Sequence, residues 1–491
     1  MSSFFDRAIG TDSTSAMALQ RRMPWLVAMA LFMENLDATI VNTAAPTMAA
    51  SLHVEPLSLK GVLTSYTLAL AVFIPISGWA ADCFGTKRVF ATAILLFSLG
   101  SLLCGVSVNV PMLVASRLLQ GIGGAMMTPV GRLALVRSFP RAQMITAMNY
   151  VVIPALVGPL VGPFLGGLIV ASLHWRVIFF INLPLGALGL WMARRYMPDY
   201  RDEHTPPLDW VGFVLFGVGV LLLSYVLEVL GDHSLSWTVT LELAALSLVL
   251  LGTYGWHASR AVAPLLELGL FKIRTFRVSV LGGFVTRLGV GGMPFLLPLL
   301  YQVGLGYAPW QAGLLTMPQA ASAIGMKILS KPLLARFGHR TVLRVNTVVM
   351  GLFIMVFGFV GLGTPIWAIL LLSFGQGFAS STQFTSMNTL VYADVTDAQA
   401  SRASSIASTA QQLALSFGVA FGSVSAQWFL HSVPQSDHPA FISALHHAFL
   451  TLGTLTIVSS LSFAGLKPAD GSNVSSHQQT PKFEELAERS A

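Results

Sequence analysis

The chain has 491 residues, of which 54% are hydrophobic and only 10% are charged, and its mean hydropathy is +0.71. Soluble domains carry roughly 25% charged residues, so this composition excludes an ordinary water-soluble enzyme or binding module. Lys and Arg (28) exceed Asp and Glu (21), but they are spread through short segments between apolar runs. No basic block or recognition motif indicates a nucleic-acid partner.

The apolar runs last about 20 residues, which is the length of a bilayer-crossing helix, and they lack the alternation of barrel strands. They predict an all-α polytopic membrane protein with fourteen spans. In chain order the spans lie near 24–48, 60–81, 89–108, 111–131, 144–171, 176–195, 208–230, 238–258, 275–300, 309–330, 341–361, 364–390, 402–428 and 443–466.

The positions of the basic residues orient these spans. If the N-terminus is cytoplasmic, the Lys and Arg residues near helix ends fall on the cytoplasmic side, except for Lys60 and Arg176. Such a bias is the positive-inside pattern. Since the number of spans is even, both termini are expected in the cytoplasm. We therefore expect a multi-pass protein of a bacterial inner membrane, with the lipid bilayer as its partner.

A short pattern recurs in the two halves of the chain: a Phe-Gly pair followed by basic residues occurs at 84–88 and again at 337–340. Repeated loops at corresponding places predict two related six-helix halves. The expected organisation is a cytoplasmic N-terminus (1–22), an N-terminal six-helix bundle (23–200), two additional helices (201–260), a C-terminal six-helix bundle (261–466) and a disordered cytoplasmic tail (467–491).

Four motifs lie within the first five spans. They are the loop 78–88 with Gly78, Asp82, Gly85, Lys87 and Arg88, the segment 36–46 with Asp37 and Pro46, the segment 117–124 with Arg117, and the segment 158–167 with Gly158, Gly162, Pro163, Gly166 and Gly167. Together they resemble the major facilitator superfamily, specifically its fourteen-span drug:proton antiporter family. The loop departs from that pattern at Cys83 and Thr86. Segments 286–289 and 381–388 are similar to the MdtD-like multidrug transporters of this family.

The resemblance implies two pseudo-symmetric six-helix bundles with two extra helices, which alternate access to a central site. It implies that Asp82 locks and releases the two halves. In segment 158–167 the glycines allow close helix approach and Pro163 kinks the span, so a bend that closes one side of the pathway is expected; packing of small residues without such a function is the alternative. Neither a cofactor nor a metal ion is expected.

Asp37 lies thirteen residues into span 1, about 20 Å along the helix axis, near or past the bilayer midplane. An ionised, unpaired carboxylate there costs several kcal/mol, so Asp37 is a candidate for proton coupling. Glu34 lies one turn earlier on the same face and is a candidate to share that proton. Arg117 in span 4 needs a partner; the resemblance implies proton coupling by pairing with a span-1 carboxylate. A permanently paired Asp37 and a static ion pair are the structural alternatives.

A second group of polar residues lies in the C-terminal half. Arg287 falls midway through span 9, where it could attract anionic groups, and span 12 carries Gln376, Gln383 and Asn388. A polar face on a membrane helix lines a cavity or bonds a neighbouring helix. We expect these four residues to line the substrate cavity.

The sequence therefore predicts a proton-coupled secondary transporter, rather than an enzyme, that exports small amphipathic or hydrophobic compounds by alternating access. A dedicated transporter of one metabolite, lipid or siderophore is the first alternative, and a membrane sensor that lost transport is the second. An envelope efflux partner is left open.

Overall fold

The structure is a computed structural model that describes residues 13–139, 141–202, 205–232, 235–396, 399–430 and 438–475. Every regular element within these ranges is a helix. Backbone N–H and C=O groups in lipid must be bonded inside the chain, and a helix satisfies them within one segment. The all-α class predicted from the apolar runs is therefore confirmed.

The N-terminal half contains six crossings. Its helices are α1 (Ser13–Ser51), α2 (Lys60–Phe84), α3 (Thr86–Gly105), α4 (Val110–Ser138), α5 (Arg141–Ser172), and the short α6 (Val177–Phe180) with α7 (Asn182–Tyr196), which together make the sixth crossing. Asn109 caps α4 by accepting a hydrogen bond from the Met112 N–H at 2.9 Å, which fixes where this helix begins.

Two helices then precede the C-terminal half. They are α8 (Trp210–Asp232) and α9 (Trp237–Ala258), which pack on each other. Helix α8 also packs against α2 and against a later helix of the C-terminal half, Ala400–Leu430. The C-terminal half consists of α10 (Arg274–Gly291), α11 (Met293–Pro298) with a π-helical continuation (Leu299–Gly304), α12 (Pro309–Phe357), α13 (Ile366–Leu390), α14 (Ala400–Leu430), α15 (His438–Ser459) and a final turn, α16 (Ser472–Ser475).

Helices occupy all fourteen predicted positions. Twelve stretches in the described part of the chain are long and apolar enough to cross a membrane. The remaining two predicted spans, near 309–330 and 364–390, correspond to the first part of α12 and to α13. These two helices carry more polar residues than the other spans. They pack along each other, so each helix offers the other hydrogen-bond partners for its polar side chains.

The glycines of the two Phe-Gly loops have similar backbone conformations. Gly85 has φ 93° and ψ 139°, and Gly338 has φ 70° and ψ 160°. Both values lie in a region that only glycine adopts readily. Gly338 therefore divides α12 into two helical parts that meet at this turn. The repeat seen in the sequence corresponds to a structural repeat of the two halves.

We call the side of the molecule that carries the two Phe-Gly loops (84–88 and 337–340) the basic side. On the opposite side the two halves form a single core. One buried apolar cluster there contains residues from the end of α1 and the start of α2 together with residues from α11, α12 and α15. The Gln302 side chain also donates a hydrogen bond to the Thr43 carbonyl across the halves, at 2.8 Å. The structure is therefore sealed opposite the basic loops.

Glycines make this seal possible. A Cβ atom at Gly167 of α5 would overlap the Pro309 carbonyl oxygen of α12, and one at Gly313 of α12 would overlap the Pro163 carbonyl oxygen of α5. The two backbones can approach this closely only because neither residue has a side chain.

The predicted domain boundaries at residues 200 and 260 fall in the segments 197–209 and 259–273 that connect the helices, and they stay predictions. Of the tail predicted to be disordered, residues 467–475 are packed against the C-terminal half. There Asp470 forms an ion pair with Arg274, and Asn473 donates a hydrogen bond to the Ala393 carbonyl at 2.5 Å. Residues 476–491 lie outside the described part of the chain.

Replacing Gly167 with Ala should destabilise the protein, because the added methyl group would overlap the Pro309 carbonyl oxygen. Overpacking of this kind costs about 1–3 kcal/mol. Thermal unfolding of the purified protein in detergent measures the effect. Gly252→Ala in α9 is the matched control, since its Cβ would meet nothing within 4 Å. Equal melting temperatures for Gly167→Ala and the wild type would contradict the close packing of α5 on α12.

Candidate functional site

The buried centre of the N-terminal half is an ion pair. Asp37 of α1 is 0% exposed and Arg117 of α4 is 1% exposed, and their Oδ2 and Nη1 atoms are 2.5 Å apart. The structure thus places together the two residues that the sequence singled out for proton coupling. Neither has access to water, so each is the main compensation for the other's charge.

Neutral groups complete the bonding of the Asp37 carboxylate. Its Oδ1 atom accepts hydrogen bonds from the Gln120 side chain at 2.8 Å and from the Asn182 side chain at 2.7 Å. Asn182 also donates to the Ser101 hydroxyl at 3.0 Å, and Ser101 donates to the Phe179 carbonyl at 2.8 Å. The carboxylate therefore connects α1 to α4 and α7, and Asn182 extends the network to Ser101 of α3.

The Arg117 guanidinium is also surrounded by partners. Its Nη1 donates to Gln120 Oε1 at 2.7 Å and its Nε donates to the Val62 carbonyl of α2 at 3.3 Å. Its Cζ atom lies 4.2 Å from the centre of the Tyr66 ring, within the range of a cation–π contact. Arg117 thus has partners besides Asp37 that would remain if the carboxylate took up a proton.

Glu34 has a separate partner. Its Oε2 accepts a hydrogen bond from the Thr128 hydroxyl of α4 at 2.5 Å, and the side chain is half-buried. Asp37 is bonded instead to Arg117, Gln120 and Asn182. The two carboxyl groups therefore have different partners on α4, and their sharing of one proton stays a prediction.

Arg287 is the buried cation of the C-terminal half, at 6% exposure. Its Nη2 donates to Asn388 Oδ1 and to Gln411 Oε1, both at 3.3 Å, and its Cζ lies 4.8 Å from the Phe384 ring centre. Both hydrogen-bond partners are neutral amides. In contrast to Arg117, this guanidinium has no carboxylate within ion-pair distance among the residues that the structure describes.

The polar residues of α13 separate into two groups. Asn388 lies with Arg287 and accepts a hydrogen bond from it. Gln383 instead donates to the Thr347 hydroxyl at 2.7 Å and accepts from Asn346 at 2.9 Å, both on α12. Gln376, also buried, donates to Ser380 one turn along α13 at 3.0 Å. Gln383 thus bonds a neighbouring helix, and the lining of a substrate cavity by these residues stays a prediction.

The predicted conformational motifs of the N-terminal half lie at two helix contacts. Gly158, Gly162 and Gly166 face α1, where a Cβ at Gly166 would lie 2.6 Å from the Ile40 carbonyl oxygen, and Gly167 faces α12. Pro163 lies within α5 beside them. This segment therefore joins the helix that carries Asp37 to the sealed side of the molecule.

The loop motif lies on the basic side. Asp82 pairs with Arg137 of α4 at 2.9 Å, within its own half, and both side chains are about one-third exposed. A Cβ at Gly85 would overlap the Asp199 carboxylate, which accepts a hydrogen bond from the Lys87 backbone N–H at 3.2 Å. A Cβ at Gly78 would meet nothing within 4 Å, and the Arg88 side chain is exposed. The locking role of Asp82 between the halves stays a prediction.

Sequence reasoning did not single out several residues that complete these sites. Gln120 lies three residues after Arg117 and so shares its helix face, a signal that could have identified it. Thr128 lies on the same helix further along. Asn182 and Gln411 come from distant segments, and only the fold brings them to Asp37 and Arg287.

Comparison with known proteins gives the family. The chain matches the Major Facilitator Superfamily over residues 27–419 and, in a second overlapping match, over residues 279–486. It is 41% identical over 446 residues to "Putative multidrug resistance protein MdtD" of Serratia proteamaculans, covering 91% of this chain and 93% of that protein. The protein of the same name from an Enterobacter species is 40% identical, with 92% and 95% covered. The chain belongs to the major facilitator superfamily.

Solved structures agree with this assignment at the level of the fold. The D-xylose-proton symporter has a TM-score of 0.66 at 14% identity, covering 91% of this chain and 98% of that one. A bacterial homologue of the human lysosomal transporter Spinster, in an inward-facing and unoccupied conformation, has a TM-score of 0.65 at 14% identity, with 91% and 97% covered. The chain is thus a multi-pass membrane protein with the architecture of secondary transporters of the major facilitator superfamily.

In this superfamily member, the Asp37–Arg117 pair should show strong coupling in a double-mutant cycle. Arg117→Gln leaves a buried carboxylate without its cation and should cost about 3–5 kcal/mol, whereas the double variant with Asp37→Asn should recover most of that loss. Unfolding in detergent measures the cycle.

The partly exposed pair Asp82–Arg137 provides the control cycle, made with Asp82→Asn and Arg137→Gln. Its expected coupling is below about 1 kcal/mol, because solvent screens both charges. Equal coupling energies at the two pairs would contradict the expectation that burial makes the Asp37–Arg117 interaction the stronger one.

Proposed function

We propose that this protein is a proton-coupled exporter of amphipathic or hydrophobic compounds that works by alternating access. The observation that carries the proposal is the fully buried Asp37–Arg117 ion pair, with Gln120 and Asn182 completing the bonding of the carboxylate. The multidrug resistance relatives of similar length support export of drug-like compounds as the activity.

Proton uptake at Asp37 would act through this network. A neutral carboxyl group no longer attracts the guanidinium, and Arg117 retains Gln120 Oε1, the Val62 carbonyl and the Tyr66 ring as partners. The bond between α1 and α4 would therefore weaken without leaving Arg117 unsatisfied. Because one oxygen of Asp37 also holds Asn182 of α7, protonation would loosen three helices together.

This change would reach the sealed side through α1. The same helix packs on the glycine face of α5, and its Thr43 carbonyl accepts the hydrogen bond from Gln302 of the C-terminal half. The excess of basic residues supports a cytoplasmic location for the basic side and for both termini, in a bacterial inner membrane. With that orientation, the described state is closed to the outside.

A second candidate is transport of one anionic or zwitterionic solute. Arg287 favours it, because a buried guanidinium held only by neutral amides and a ring can still accept an anionic partner. Glu34, bonded to the Thr128 hydroxyl, offers the opposite charge in the N-terminal half. A solute with both charges could engage both halves.

Substrate-triggered proton flux in inverted membrane vesicles tests the coupling. A pH-gradient dye should report loss of the gradient when a substrate from a panel of lipophilic cations and anions is added to wild-type vesicles. Asp37→Asn should reduce this signal to that of vesicles lacking the protein, since the variant cannot exchange the proton. Glu242→Gln, at an exposed carboxylate of α9, is the matched control and should behave like the wild type.

Each other outcome assigns the function differently. A response that survives Asp37→Asn would move the coupling site, and Glu34→Gln would be tested next. Responses to a single physiological compound would favour the dedicated carrier. If no compound causes loss of the pH gradient although the protein is folded and in the membrane, a sensor that does not transport would be favoured.

Arg287→Gln separates the two kinds of substrate. Removing this cation should reduce transport of anionic compounds while leaving lipophilic cations nearly unaffected, because only the anions would lose an attractive partner. Initial rates across the panel in the same vesicles measure the difference. Arg277→Gln on the exposed face of the same helix is the control. An equal loss for all compounds would indicate that Arg287 stabilises the fold rather than selecting substrates.

A further inference from the structure

An open groove of about 690 Å³ lies away from the Asp37 and Arg287 sites. It runs between the second part of α12 and the segment that follows α15. The residues that line it are Phe337, Arg340, Thr341, Arg344, Val345, Val348, Val349, Ser460 and Pro468. None of the proton-coupling or cavity residues contributes to it.

Two cations lie at one end of the groove. Arg340 and Arg344 are four residues apart on α12 and therefore point to the same side of the helix. The Nε atom of Arg340 is buried and has no hydrogen-bond partner within the described ranges, and neither arginine takes part in an ion pair there. Two adjacent like charges repel each other, so the arrangement favours an anionic partner from outside the chain.

The rest of the groove is apolar and exposed. Val345 is 58% exposed and Val349 is 38% exposed, and Leu352 at 50% continues the same surface along α12. Exposed aliphatic side chains on a membrane-crossing helix face the acyl chains of the bilayer. This wall can therefore hold a hydrocarbon chain.

The depth of these residues matches the layers of a membrane. Gly338 marks the turn of α12 at the basic side, so Arg340 and Arg344 lie where the helix enters the bilayer. Val349 is nine residues beyond Arg340, about 14 Å deeper along the helix axis. Cations thus lie at the level of lipid headgroups and the aliphatic wall lies at the level of the acyl chains, as in basic pockets that bind anionic headgroups.

We propose that this groove binds one anionic phospholipid, with its phosphate between Arg340 and Arg344 and an acyl chain along Val345 and Val349. Both parts of the ligand are needed, because the arginines alone would suit any phosphate and the valines alone would suit any lipid. The proposal does not depend on the transported substrate.

Lipid binding to the purified full-length chain tests it. The protein is stripped of lipid in a neutral detergent and titrated with phosphatidylglycerol or with phosphatidylcholine of the same acyl chains, and native mass spectrometry counts the bound molecules. The wild type should bind phosphatidylglycerol more tightly. Arg340→Gln or Arg344→Gln should each weaken that binding about fivefold, and the double variant should remove the preference.

Matched variants separate the groove from the surrounding charge. Arg336→Gln removes a neighbouring cation that does not line the groove and should leave the preference unchanged. Arg340→Lys retains the charge and should retain most of the binding. Val345→Trp keeps both arginines but fills the path of the acyl chain, so it should weaken binding of the lipid. Melting temperatures in detergent identify any variant that is misfolded.

Several results would overturn the proposal. The first is equal affinity of the wild type for the two lipids, and the second is an unchanged preference in the double variant. Competition by glycerol phosphate at the lipid's own concentration would assign the site to a soluble phosphate. The C-terminal segment carries three acidic residues, Glu484, Glu485 and Glu488, that could compete for the arginines. If the lipid bound only after these residues were changed to Gln, the occupant of the groove would be the C-terminal segment and not a lipid.

Discussion

The ion pair between Asp37 and Arg117 is the interaction on which the arrangement of the N-terminal half depends. Bringing two charges into a lipid-embedded core costs several kcal/mol for each ion, and only a partner with good geometry offsets that cost. The structure provides it with a 2.5 Å contact and with amides that occupy the other carboxylate oxygen. The helices that carry these groups must therefore stay in register.

Close backbone contact transmits this constraint to the rest of the molecule. The helix that carries Asp37 packs on the glycine face of α5, and Gly167 of α5 packs on the start of α12 in the other half. Contacts without intervening side chains leave little freedom for small adjustments, because any relative movement must shift whole helices. In the proposed transport cycle, a change of charge at Asp37 would therefore act on whole helices rather than on single side chains.

Much of this organisation could be predicted from the sequence. Composition and run length gave the helical membrane class, and the motifs gave the superfamily, because both depend on local residue types. That Arg117 needs a partner was predictable because a buried charge requires one, and the resemblance to the superfamily indicated a carboxylate of span 1. The repeated Phe-Gly pattern marked two turns whose glycines both have positive φ.

Other features depended on packing between distant segments. Glu34 and Asp37 lie on one face of α1, but they meet α4 at different levels and so have different partners, Thr128 and Arg117. The polarity of α13 was evident in the sequence, yet only the position of α12 determines that Gln383 bonds Asn346 and Thr347. Spacing along one helix identifies a polar face but not the helix that it meets.

The buried pair also bears on how the membrane voltage acts on the protein. With Asp37 ionised, its charge and that of Arg117 cancel, so a movement of this pair through the electric field carries no net charge. With Asp37 protonated, the same movement carries one positive charge. A potential of 100 mV changes the free energy of such a charge by about 2.3 kcal/mol for a passage across the whole membrane, and by a proportional fraction for a shorter movement. The membrane potential would therefore bias one half of a transport cycle and leave the other half nearly independent of voltage.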